Sequence, residues 1–228
     1  MQIDVLTLFP KMFFSPFEES IIKRAKEKEI VKINIHNIRD FALDKHKQVD
    51  DKPFGGVPGM VLKIEPIYRA FEQLNFLNVQ KKIFLSPQGK LLTQSILFDL
   101  LSYDHLVLLC GHYEGVDERI IDLLITDEIS IGNYVLSGGE IPAMVIIDAI
   151  VRLLPNAIGK KESLENESFS NNLLDYPVFT RPREFKSLKV PEVLLSGNHK
   201  EIEFFKKIEA LKKTFKKRPD LINKDFFS

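Results

Sequence analysis

Apolar and polar positions alternate in short blocks along the first two thirds of the chain. "IDVLTLF" is an apolar run that stops at a proline-marked turn, and "PFEESIIKRAKEKE" then sets Ile21, Ile22 and Ala25 at helical spacing. "VKINIHNI" alternates strictly, with Val31, Ile33 and Ile35 on one face, which predicts a strand. "KIFLS" breaks at "PQGK" and is followed by the helical "LLTQSILFDLL". "HLVLLC" breaks at "GHYEG" before the helical "VDERIIDLLI". "EISI" runs into the glycine-rich "SIGNYVLSGGEIPAM", and a helix is predicted to start near Pro142, since a first helical turn has no N–H bond to lose there. Apolar strands alternating with helices predict an α/β fold with a mostly parallel sheet covered by helices.

The pattern changes near "GKKESLENES", residues 159–168, which is polar and poor in apolar residues. It divides the chain into a first domain over 1–159, a linker over 160–168 and a small, lysine-rich helical domain over 169–228. In that last part, "KKIEALKKTFKKR" (206–218) carries seven basic residues against one acid. Ile208, Leu211 and Phe215 recur at helical spacing, so the segment reads as an amphipathic helix with a basic face, either a solvated surface or an RNA-contacting one.

Composition narrows the classes. The chain has 228 residues, 44% of them apolar and 28% charged, with 32 basic and 32 acidic side chains, the make-up of an ordinary globular protein. A single cysteine, Cys110, excludes an internal disulfide framework, suits a reducing compartment and, in "HLVLLC", reads as a buried hydrophobe. The start has no basic leader, and the longest apolar run is interrupted by Asp148 and Arg152 and is too short for a span. A cytoplasmic protein without membrane contact is expected. The five histidines have no metal-ligand spacing, so no metal site is expected from them. "LSGGE" is not a nucleophile elbow, and "GGVPG" is neither a phosphate loop nor a dinucleotide fingerprint.

Chemistry gathers at three breaks, "LSPQG" (85–89), "CGHYEG" (110–115) and "SIGNYVLSGG" (130–139), at the carboxyl ends of consecutive strands. Open parallel sheets bind ligands there. These breaks offer backbone amides, apolar side chains, Tyr113, Tyr134 and one acid, Glu114, but no lysine. That set suits a flat aromatic ring and a ribose and does not suit a triphosphate. A further Gly/Pro-rich excursion, "DKHKQVDDKPFGGVPGM" (44–60), carries lysines and Phe54, types that meet an RNA backbone and stack a base.

With "LFPKMF", "RDF", "LLDYPVFTRP" and "VPEVLLSGNH", these segments resemble, in order and over nearly the whole chain, the bacterial tRNA (guanine-N1)-methyltransferase family, TrmD, of the SPOUT class. The resemblance implies a trefoil knot late in the first domain, S-adenosyl-L-methionine bound in bent form within it, a homodimer with the active site at the subunit interface, and methylation of N1 of guanine at tRNA position 37. It implies a cofactor site of Leu85, Pro87, Gly111, Tyr113, Glu114, Ile131, Gly132, Asn133, Tyr134, Val135, Leu136, Gly138, Gly139 and Pro142. It implies catalysis by Arg152 and by a carboxylate at Glu167, where the family carries an aspartate, with Asp175 in reserve. It also brings Mg2+, for which the sequence has no dedicated oxygen cluster.

The residue types fit that chemistry. Guanine N1 carries a proton, and a carboxylate about 2.6–3.2 Å away serves as general base. An arginine beside O6 stabilises the charge that develops. On residues alone, Glu167 also reads as a solvated linker side chain, and Arg152, four residues after Asp148, as half of a helical ion pair. Three other readings stay open: a ribose 2′-O methyltransferase of the same class, a non-catalytic RNA-binding protein, and, least favoured without a dinucleotide fingerprint, an oxidoreductase.

Overall fold

The computed structural model describes residues 1–56, 58–158, 167–169 and 172–222. The chain divides into two compact units, Met1–Gly159 and Lys160–Ser228. Most of the predicted linker, residues 160–166, lies outside the described residues.

In the first unit the elements run β1 (Gln2–Thr7), α1 (Phe14–Phe17), α2 (Ser20–Glu27), β2 (Lys32–Asn37), β3 (Asp50–Asp51), β4 (Val61–Leu62), α3 (Ile64–Gln73), β5 (Lys81–Leu91), α4 (Gln94–Leu100), β6 (His105–Cys110), α5 (Glu118–Leu124), β7 (Asp127–Ser130) and α6 (Glu140–Leu153). Five strands form one sheet in the order β2-β1-β6-β5-β7, every pair parallel. Its central strands β1 and β6 are buried on both faces, while the edge strand β2 is half-buried. Leu6, Phe84, Val107 and Leu109 pack with Ile67 and Phe71 of α3 and Ile120 of α5. On the other side α6 contacts β1, β6, α2 and α4, contributing Ala143, Ile146, Ile147 and Ile150, all fully buried. Each of these isoleucine side chains removed from water contributes about 1.5–3 kcal/mol.

Caps set several helix starts. Thr93 accepts from the Ile96 N–H at 3.4 Å ahead of α4, and Asp117 accepts from the Arg119 N–H at 3.1 Å ahead of α5. Helix α6 begins at Glu140, two residues before the predicted Pro142, with Gly139 as its cap. Proline is accommodated because the whole first turn lacks intrahelical N–H bonds.

One predicted break is different in kind. The strand at "KIFLS" does not end at "PQGK". Leu85 and Lys90 both register against Ile129 of β7, so Ser86–Gly89 project from β5 as a bulge and the strand resumes. Pro87 has no N–H to give a ladder, and a Cβ on Gly89 would overlap the backbone of Glu128 and Ile129, so this sequence both leaves and re-enters the sheet.

The second unit is not purely helical. It holds an antiparallel hairpin, β8 (Glu184–Phe185) and β9 (Leu188–Lys189), and the long helix α7 (His199–Lys217). The hairpin turns at Lys186 and Ser187, both with positive φ, as a tight two-residue loop demands. Asn198 caps α7 through the Glu201 N–H at 3.5 Å. The predicted apolar stripe on α7 needs correction, because Phe215 is 68% exposed while Thr214 is buried. The Thr214 hydroxyl accepts the Leu174 N–H at 2.8 Å and donates to the Ala210 carbonyl at 2.7 Å, so the preceding chain packs on the Thr214 side.

Among the described residues no helix is long and apolar enough to cross a membrane.

Candidate functional site

Strand β5 is a switch point of the sheet: the chain goes from β5 to β6 on one side, then returns to β7 on the other. The crevice outside such a point is where α/β sheets place ligands. The bulge 86–89, the loop after β6 and the loop after β7 enclose there a cavity of about 280 Å³. Leu85, Pro87, Gly111, Tyr113, Glu114, Ile131, Gly132, Tyr134, Val135, Leu136, Gly138, Gly139 and Pro142 all line it. Asn133 does not, and it is exposed.

The walls are stitched by main-chain bonds. The Gly139 N–H donates to the Gly111 carbonyl at 2.8 Å, and His112 and Gly138 form a β-bridge, so the second and third loops are zipped together. The Leu92 N–H donates to the Ser130 carbonyl at 2.8 Å, fixing the bulge to the third loop. The Glu114 N–H donates to the Met60 carbonyl at 3.0 Å and the Leu62 N–H to the Gly115 carbonyl at 3.0 Å. Those last two bonds anchor the 44–60 excursion, whose stem is the β3–β4 pair, beside the cavity. Phe54 at its tip is 99% exposed. Tyr113 links the two regions: burial and the neighbouring Asp50 carboxylate push its phenol above the ordinary value, against the pull of the Arg39 guanidinium. Its φ of 58° is left-handed, a costly conformation for a tyrosine that is found at functional sites.

Among the described residues three carboxylates, Glu114, Glu118 and Glu128, line the cavity, and neither lysine nor arginine does. The sequence reading found only Glu114. Glu128 escaped it because its place comes from the register of Phe84 against Glu128 across β5 and β7, and Glu118 because it arrives on the first turn of α5. An acidic, amide-rich crevice repels phosphate and favours a neutral or cationic ligand.

Of the candidate catalytic residues only Arg152 belongs to the first unit, and it does not line the cavity. Arg152 is half-buried in the last turn of α6, twelve positions beyond Glu140 and hence about 18 Å along the helix from the cavity end. Within one chain it does not reach the crevice. Glu167 and Asp175 belong to the second unit, where the Asp175 N–H donates to Ser168 Oγ at 3.0 Å and the Phe169 N–H to the Leu173 carbonyl at 2.8 Å. These bonds fold the Glu167 segment back on the Asp175 segment. The Asp175 Oδ1 is buried with no hydrogen-bond partner among the described residues.

A parallel sheet with an acid-lined crevice at its switch point defines an α/β protein whose crevice, at the strand carboxyl ends, suits a small non-anionic ligand. Comparison with known proteins goes further. Residues 1–224 match the family model described as tRNA (Guanine-1)-methyltransferase TrmD, and the chain belongs to that family. It is 54% identical to a tRNA (guanine-N(1)-)-methyltransferase of Carboxydothermus hydrogenoformans over 97% of this chain and 87% of the relative. The protein of the same description from Staphylococcus carnosus is 54% identical over 98% and 91%, and that from Clostridioides difficile 52% identical over 98% of each.

Proposed function

We propose that the protein methylates N1 of guanine at position 37 of tRNA, using S-adenosyl-L-methionine, as a cytoplasmic homodimer. The observation that carries the reading, beside family membership, is the acid-lined crevice, with neither lysine nor arginine among its described lining residues. The donor supplies an electrophilic methyl group on a sulfonium, and a site for it needs carboxylates rather than phosphate-binding cations. Glycines 111, 132, 138 and 139 bring backbone to the ligand, Ile131, Val135 and Leu136 give apolar contact, and Glu114, Glu118 and Glu128 match its positive charge. The residues fit the group. A knot threading these three loops belongs to the same proposal.

Arg152 argues for the dimer. Its distance from the crevice along α6 is removed if a second copy supplies it. Ile141 and Val145, one helical turn apart on α6, are exposed apolar residues in the single chain, suited to a subunit interface. Glu167 takes the N1 proton and Arg152 stabilises the negative charge developing on O6. Asp175, whose Oδ1 lacks a partner among the described residues, is the second candidate base. The basic face of α7 and the exposed Phe54 contact tRNA. For Mg2+ the proposal assigns no ligands.

The test is transfer of labelled methyl to tRNA carrying guanine or adenine at position 37, with the methylated atom mapped in the product. Guanine N1 alone is expected to be labelled, and Glu167→Gln is expected to lose at least about 100-fold in rate at saturating substrates. Label on a ribose oxygen, or an undiminished Glu167→Gln, overturns the reading or the base assignment respectively.

A further inference from the structure

We propose that Glu140 is a positioning residue of the crevice: held by Thr7, it fixes the tautomer and orientation of the His112 ring and thereby the docking of the second and third loops around the methyl donor. This rests on the crevice being the donor's site.

Glu140 opens α6 and is 2% exposed, and a carboxylate so buried requires polar partners. Its Oε1 accepts the Thr7 hydroxyl proton at 2.7 Å. The same Thr7 oxygen accepts the Phe9 N–H at 2.9 Å. The Phe9 ring lies against the His112 ring, centroids 4.8 Å apart, and His112 Nδ1 faces Glu140 Oε2 at 4.0 Å. The four residues close a circuit that joins the end of β1, the start of α6 and the second loop. Only His112 of the four lines the cavity, so Thr7, Phe9 and Glu140 act on a ligand through it.

The chemistry of the circuit selects one tautomer. His112 Nδ1 is buried without a hydrogen-bond partner among the described residues, and the group it faces is a carboxylate oxygen, which only accepts. A lone pair aimed at that oxygen is repelled, whereas an N–H is attracted, so the proton belongs on Nδ1 and Nε2 is left as an acceptor. At 4.0 Å the pair is about 1 Å beyond an N–H···O bond, so the carboxylate acts on the ring as a charge facing a dipole. The space between the two groups exists because residue 138 is glycine. A Cβ there would overlap Glu140 Oε2 and stand 2.6 Å from His112 Nδ1. His112 also bridges Gly138 through its backbone, so its ring sits where the second and third loops meet and the packing of that ring supports both.

Glu140→Gln tests this. The amide keeps an oxygen for Thr7 and turns an N–H toward His112, reversing the preferred tautomer. Imidazole nitrogen spectra near pH 8, with the His112 signals assigned by their loss in His112→Gln, are expected to show the proton on Nδ1 in the wild type and on Nε2 in Glu140→Gln. The Kd for S-adenosyl-L-methionine, measured by calorimetry, is expected to weaken about tenfold, the low end of what losing the orienting partner of a metal-ligating histidine costs, with kcat at saturating donor within about twofold. A wild-type His112 protonated on Nε2 overturns the inference, as does a Glu140→Gln with unchanged Kd. If Glu140→Gln does not fold, the wild-type spectrum and the Kd of Gly138→Ala, which wedges the pair apart and is expected to weaken binding equally, decide it. A wild type without affinity for S-adenosyl-L-methionine sinks the reading of the crevice, and the ligand-free spectra still decide whether Glu140 sets the ring.

Discussion

Asp4 is 1% exposed in the middle of β1, and four side chains satisfy its carboxylate: Gln2 at 2.6 Å, Asn34 at 2.9 Å, His36 at 2.6 Å and His105 at 2.7 Å. Burial pushes the carboxyl up, but the bonds from His36, Gln2, Asn34 and His105 together outweigh it and hold it at about 2 against an ordinary 3.8. A value lower in the folded state than in the unfolded one means folding favours the ionised form. The contribution, about 2 kcal/mol, is therefore complete above about pH 4 and drains away as pH falls towards 2. Urea titrations of wild type and Asp4→Asn should differ by a constant amount from pH 7 to 5 and converge below pH 4; a difference independent of pH down to 2 refutes the assignment. None of this was legible from the residues singly. The donors come from β1, β2 and β6, up to 101 positions from Asp4, and parallel register alone sets them around one carboxylate.

Among the elements, the strands and helices of the first unit followed their apolar periods, because burial on one or both faces imposes those periods directly. What the period does not encode is whether a break ends a strand or bulges from it. Ser86–Gly89 shows the difference, since Leu85 and Lys90 share one partner, Ile129, and the return depends on close approach at Gly89. Gly89→Ala is expected to cost about 1–3 kcal/mol, read as a lower urea midpoint with unchanged slope. No loss of stability would mean that the bulge relaxes freely and does not fix the crevice wall. The same limit explains the candidate site. Its glycines and tyrosines stood out because their types are unusual together, whereas Glu118 and Glu128 look like any helical or strand-edge acid until the sheet sets them beside the cavity. On α7, a period of 3.6 proposed Phe215 for the packed face, and a single N–H seeking the Thr214 hydroxyl chose the neighbouring face.

At the scale of the molecule, Cys110 reports on the integrity of the whole sheet. Burial, with the Glu140 carboxylate adding to it, pushes its thiol well above the ordinary range, so the native protein holds almost no thiolate at pH 8. Reaction with a disulfide reagent is expected to be negligible in the native state and to proceed at a rate set by opening of the core, rising with urea as global unfolding does. Rapid labelling without denaturant would show that β6 opens locally. The strand order has a consequence for biosynthesis. Strand β1 pairs with β2 on one side, but its other edge waits for β6, with Gln2 opposite His105. On the ribosome, about 70 residues separate completion of the first pairing from the arrival of the second. At about 5–20 residues per second this is roughly 4–14 seconds. For that interval a nascent chain carries Ile3, Val5 and Leu6 on an open strand edge, a template for wrong pairing. The parallel sheet that shelters the crevice in the finished protein is thus completed only when β6, far along the chain, reaches the open edge of β1.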